Sequence, residues 1–135
     1  MDKQAKILIV DDDPDFVEAT KIVLESKSYK VAVASDGREG LQAVKKEKPD
    51  LIILDIMMTT GDEGFDVCRK LKRDPKYKDI PILMLTALQK KTGFDFKSEV
   101  GDEYWLPVED YVDKPLPPSE LLSRVEKLLK THSKK

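Results

Sequence analysis

Ile7-Leu8-Ile9-Val10 is an unbroken apolar run that stops at once on three aspartates and a proline, Asp11-Asp12-Asp13-Pro14. A short β-branched-rich run of this kind marks a strand buried on both faces. The pattern returns at Leu51-Ile52-Ile53-Leu54, which ends on Asp55, and at Ile80-Pro81-Ile82-Leu83-Met84-Leu85, which ends on Thr86. Residues 29–34 read as a further strand, second in chain order. Asp110-Tyr111-Val112-Asp113 reads as a short fifth strand before Lys114-Pro115.

Helical patterns fill the intervals. Asp13 can cap a helix whose first turn accepts Pro14, with Phe16, Val17, Thr20, Val23 and Leu24 facing inward. Asp36-Gly37 turns the chain into a helix with Leu41 and Val44 on one face. Residues 61–64 read as loop, followed by a helix with Phe65, Cys68 and Leu71 at helical spacing. The stretch 90–108 is the least regular, with a short helix expected at 94–100 and an irregular loop through Trp105 and Pro107. From Ser119 onward, Leu121, Leu122, Val125, Leu128 and Leu129 form one apolar stripe. Alternating strands and helices predict an α/β fold, a parallel sheet with helices on both faces, and a ligand site at the carboxyl ends of the strands.

Composition narrows the function. The 135 residues suit one domain over 1–135, with a core of about 5–131, a polar tail and no output domain. Lys and Arg (24) nearly balance Asp and Glu (26), and a net charge of −2 gives no global field for nucleic acid. No apolar run approaches the roughly 20 residues of a membrane span, and the first six residues contain no signal-peptide core. Cys68 is the single cysteine, which rules out an internal disulfide and points to a reducing cytoplasm. Its place beside Phe65 and Leu71 makes it a core residue rather than a nucleophile.

The strand ends carry the chemistry. The first gives Asp11, Asp12 and Asp13, the third Asp55, the fourth Thr86, and the fifth leads to Lys114. A parallel sheet gathers all of them at one edge. Crowded carboxylates repel one another unless a hard cation sits among them, and oxygen ligands of this kind favour Mg²⁺. A hydroxyl and an ammonium beside such a metal make a pocket for a phosphoryl group. Taken singly, each residue has a plainer use: Asp13 as a helix cap, Thr86 as a turn cap, Lys114 as a solvated charge. Asp11, Asp13 and Asp15 do not form an EF-hand loop, because Phe16 and Ile22 stand where Gly and Glu are required.

These motifs, in this order and over essentially the whole chain, resemble the receiver domain of two-component response regulators. The resemblance rests on residues 7–14, on Leu54-Asp55-Ile56-Met57-Met58, on residues 81–87 and on residues 110–115. It implies a flavodoxin-like, doubly wound five-stranded sheet of order 2-1-3-4-5. It further implies Asp55 as phosphoacceptor and a Mg²⁺ ion held by Asp12, Asp55 and the backbone carbonyl of Met57, with Asp11 acting through water. Thr86 and Lys114 would contact the phosphoryl oxygens, Ala87 would leave the acceptor accessible, and Tyr111 would be the aromatic switch that follows Thr86. The implied partners are a sensor histidine kinase or phosphotransfer protein and an effector protein or fused output domain.

The sequence departs from the family in two places. The loop Thr59-Thr60-Gly61-Asp62-Glu63-Gly64 lacks the usual proline after Met58 and is one residue longer. A segment from Glu103 to Glu109, containing Trp105, separates motifs that nearly adjoin in the family. That segment is readable as an interface or as replacement packing. Two other functions compete with this reading. A haloacid-dehalogenase-type phosphohydrolase would use Asp11 as nucleophile and Asp13 as acid–base, but Asp55 would have no role and only Glu120 and Glu126 follow Lys114. A phosphate-independent receiver-like module should have lost one of Asp12, Asp55, Thr86 or Lys114, and none is lost.

Overall fold

The computed structural model describes residues 5–55, 63–86, 110–113 and 117–131. Among them the chain order is β1 (Lys6–Val10), α1 (Pro14–Glu25), β2 (Lys30–Ala34), α2 (Gly37–Glu47), β3 (Leu51–Asp55), α3 (Glu63–Arg73), β4 (Ile82–Thr86), β5 (Asp110–Asp113) and α4 (Pro118–Thr131). The strands form one parallel sheet in the order β2-β1-β3-β4-β5, as the resemblance implied.

The period-2 alternation of each strand sorts its side chains between two cores. Ile7 and Ile9 of β1, Leu51 and Ile53 of β3 and Leu83 and Leu85 of β4 pack with Leu24 of α1 and Leu121, Val125 and Leu128 of α4. The intervening residues Leu8, Val10, Ile52, Leu54, Ile82 and Met84 pack with Val44 of α2 and Val67, Cys68 and Leu71 of α3. An unbroken apolar run is therefore the only pattern that satisfies both faces, and burying each Leu or Ile stabilises by about 1.5–3 kcal/mol. β2 lies at the sheet edge, and its Val33 remains 45% exposed.

Element ends differ from expectation by one or two residues, for local reasons. β2 starts at Lys30 rather than at residue 29, because the Tyr29 N–H donates to the Leu24 carbonyl at the end of α1. β4 starts at Ile82 rather than at residue 80: the Ile80 N–H closes a turn onto the Tyr77 carbonyl, while Pro81 contributes only its carbonyl, to the Ile52 N–H. Glu63 and Gly64 belong to α3 rather than to the loop. α4 opens on Pro118, where a missing N–H costs nothing. The short helix expected at 94–100 and the loop through Trp105 lie outside the described residues.

Candidate functional site

The site is built from the loop that leaves β1 and from the last residue of β3. The Asp11 N–H donates to the carbonyl of Ala34 at 3.1 Å, tying the end of β1 to the end of β2. That end of β2 is fixed in turn by α2. Glu39 Oε1 accepts from the N–H and the hydroxyl of Ser35, at 3.0 and 2.8 Å, while the Asp36 carboxylate caps α2 by accepting the Glu39 N–H at 2.8 Å. The Asp36-x-x-Glu39 spacing is a capping signal that a sequence reading can find.

Asp11 Oδ1 accepts the Asp13 N–H at 3.0 Å, which folds the chain back over the strand end. Asp13 then caps α1, its Oδ1 accepting the N–H groups of Asp15 and Phe16 at 3.1 and 3.3 Å. Three adjacent aspartates thus divide. Asp13 serves the helix, as its plainer reading had it. Asp11, 2% exposed, and Asp12, exposed, join Asp55 of β3, 4% exposed, in a cluster whose carboxylate oxygens lie within 4.8 Å of one another.

Two carboxylates 4.8 Å apart repel by about 3.5 kcal/mol at an effective dielectric of about 20. The donor set is all oxygen, its two inner members are buried and Asp12 opens it to solvent. That suits a small hard cation that retains several waters, the coordination habit of Mg²⁺. The arrangement does not suit the phosphohydrolase alternative. Asp13, the acid–base residue of that reading, is occupied at the helix cap and lies outside the cluster, and Asp55 takes the place beside Asp11.

Thr86 closes β4 with its backbone in register with Asp113, and Asp55 is the partner of Leu85. Thr86 therefore stands one step beyond Asp55 at the same sheet edge. Tyr111 lies in β5 opposite Met84. Met57, Ala87 and Lys114 lie outside the described residues. No helix among the described residues is long and apolar enough to cross a membrane.

Comparison gives the family of this parallel five-stranded sheet with three carboxylates at its carboxyl edge. Residues 7–126 match the response regulator receiver domain, and the chain belongs to that family, the receivers of two-component systems. It is similar to the DNA-binding dual master transcriptional regulator RpaA of Synechocystis sp., with 42% identity over 129 residues, 93% of this chain and 49% of RpaA. The chain spans about half the length of the curated relatives it matches. Among solved structures it is similar to the signal receiver domain of a signal transduction histidine kinase from Syntrophus aciditrophicus, at a TM-score of 0.81 and 31% identity, covering 97% of this chain and 94% of that one. The receiver domain of the sensor histidine kinase PA1611 from Pseudomonas aeruginosa PAO1 shares the fold, at a TM-score of 0.78 and 22% identity over 95% of this chain and 99% of that one. That structure has a magnesium ion coordinated in its active-site cleft.

Proposed function

We propose that residues 1–135 form a single receiver, with a core of about 5–131, which accepts a phosphoryl group on Asp55 from a sensor histidine kinase or phosphotransfer protein. The observation that carries this reading is the convergence of Asp11, Asp12 and Asp55, from two strands far apart in sequence, on one edge of the sheet.

Asp12, Asp55 and the backbone carbonyl of Met57 would hold a Mg²⁺ ion, with Asp11 reaching it through water; the set fits such an ion, and the PA1611 receiver carries one. When bound, the ion supplies positive charge for the equatorial phosphoryl oxygens and offsets the repulsion among the carboxylates. A carboxylate oxygen of Asp55 attacks phosphorus in line. The new O–P bond forms as the P–N bond to the donor imidazole breaks, and the bonding pair leaves with the imidazole. Lys114 pairs with the phosphoryl oxygens, and the Thr86 hydroxyl donates to one of them. Tyr111 follows Thr86, and the face formed by β5 and α4 changes its packing. Those contacts exist only with phosphate present, so phosphate shifts the population between two arrangements.

The readout is an effector protein or a fused output domain. DNA binding, named for RpaA, is not assigned to these residues, whose net charge of −2 offers no field for it. A cytoplasmic setting accords with the buried, unbridged Cys68. Intact-mass measurement with a small acyl phosphate tests the reading: one phosphoryl group is gained in Mg²⁺ and none in excess chelator. Equal uptake in both would contradict it.

A further inference from the structure

At the opposite end of the sheet from the aspartates, the structure holds a groove of about 760 Å³ between the end of α2 and the turn that follows α3. Its floor is apolar: Pro49 is buried, and Tyr77 and Ile80 are half-buried against the core that contains Val44 and Leu71. Its rim carries three exposed lysines, Lys45, Lys48 and Lys76. From this juxtaposition we infer a docking site for an acidic, extended peptide segment of a partner protein.

What sets these lysines apart is that three of them, from two separate parts of the chain, surround one apolar floor. Lys70 pairs with Asp66 at 3.2 Å and Arg124 with Glu120 at 2.9 Å, each within its own helix. Among the described residues, Lys45, Lys48 and Lys76 form no ion pair. Of the acidic groups nearby, Glu47 bridges Lys6 at 3.0 Å and Asp50 Oδ2 accepts the Lys6 N–H at 2.8 Å, while Asp74 lies in the groove wall. Lysines in the last turn of α2 also complement the helix dipole, but that role reaches neither Lys76 nor the apolar floor.

The groove is shaped by backbone that has little freedom. Lys48 ends α2 in the left-handed region at φ 51°, which turns the chain into Pro49. Across the groove, Lys72 Nζ donates to the carbonyls of Lys78 and Ile80, both at 3.0 Å, and Asp74 Oδ1 accepts the Lys76 N–H at 2.9 Å. The walls are therefore set before any partner arrives, which lowers the ordering cost of binding.

Charge and floor together select the occupant. Carboxylates of a peptide meet the three ammonium groups while an aliphatic side chain between them covers Tyr77, Pro49 and Ile80. Asp74 also lines the groove and disfavours an evenly charged phosphodiester chain, whereas a peptide can set a neutral residue beside it. The groove adjoins the starts of β3 and β4 and Asp55 closes β3, so about 13 Å of strand separates them. The groove and the aspartate cluster share no residue.

The test is an amide-shift titration of the 135-residue chain with a blocked peptide of alternating glutamate and leucine. Shifts centred on Lys45, Lys48, Tyr77 and Ile80 are expected, with affinity falling about tenfold in K45E/K48E/K76E. It should hold in the control K30E/K130E and rise about twofold in Asp74→Asn, which keeps the turn's acceptor oxygen. The matching glutamine–leucine peptide should bind weakly. No saturable shift, equal loss in the control, or tighter binding of single-stranded oligothymidylate than of the acidic peptide would overturn the assignment.

Discussion

Asp11 and Asp55 stand level across the β1–β3 pair, each one residue beyond Val10 and Leu54, the last partners of that register. Because the strands are parallel, the two side chains leave the sheet at the same end, where both are buried and Asp12 joins them from the adjoining loop. An antiparallel pairing of the same two runs would have put them at opposite ends.

Asp12 and Asp13 are neighbours with separable roles. Asp12→Ala should weaken Mg²⁺ binding about tenfold or more, since even changes around a metal's ligands cost that much. Its metal-free melting temperature should hold or rise, because one of three crowded charges is gone. Asp13→Ala should cost about 1 kcal/mol through the lost α1 cap and leave the Mg²⁺ titration unchanged. A loss of Mg²⁺ affinity in the Asp13 variant alone would move the metal to a different carboxylate set.

On α1, Leu24 and Ile22 are two residues apart and differ fully in burial, 0% and 58% exposed. Leu24→Ala should cost about 3 kcal/mol by opening the core shared with α4, a fall of roughly 10 °C in melting temperature. Ile22→Ala should stay within about 0.5 kcal/mol. Thermal melts decide this; similar losses in both would mean that Ile22 is covered in solution.

Much of the architecture was legible because both faces of β1, β3 and β4 are buried, which forces runs that no amphipathic helix shares. Asp13 and Pro14 marked the start of α1 for the same local reason that the structure shows: the cap takes the orphan N–H groups of Asp15 and Phe16. Boundaries at residues 29 and 80 were not legible, since hydrogen bonds from neighbouring turns, not side-chain pattern, end those strands. The grouping of Asp11 and Asp12 with Asp55 depends on register and was reached only through the expected topology. The Ser35–Glu39 lock behind Asp11 was missed, although Asp36 and Glu39 stand at capping spacing. The lysine groove could not be read at all, because Lys45, Lys48 and Lys76 meet only through the packing of α2 against the turn after α3.

The lifetime of the phosphorylated state should be long. The residues two beyond Asp55 and two beyond Thr86 are Met57 and Leu88, whose side chains cannot orient an attacking water by hydrogen bonding. Met57→Asn with Leu88→Glu should speed loss of the phosphoryl group about tenfold or more, followed by intact mass over time. An unchanged decay would assign control of water to other residues, with the loop from Thr59 to Glu63 the first to vary.

The central claim is that Asp55, and neither Asp11 nor Asp12, accepts the phosphoryl group. Phosphorylation with a small acyl phosphate in Mg²⁺, then borohydride reduction, converts an aspartyl phosphate to homoserine, and peptide mass spectrometry locates the change. The account predicts reduction at Asp55 alone and no uptake by Asp55→Asn. Homoserine at Asp11 or Asp12, or equal phosphoryl uptake by Asp55→Asn, would contradict it.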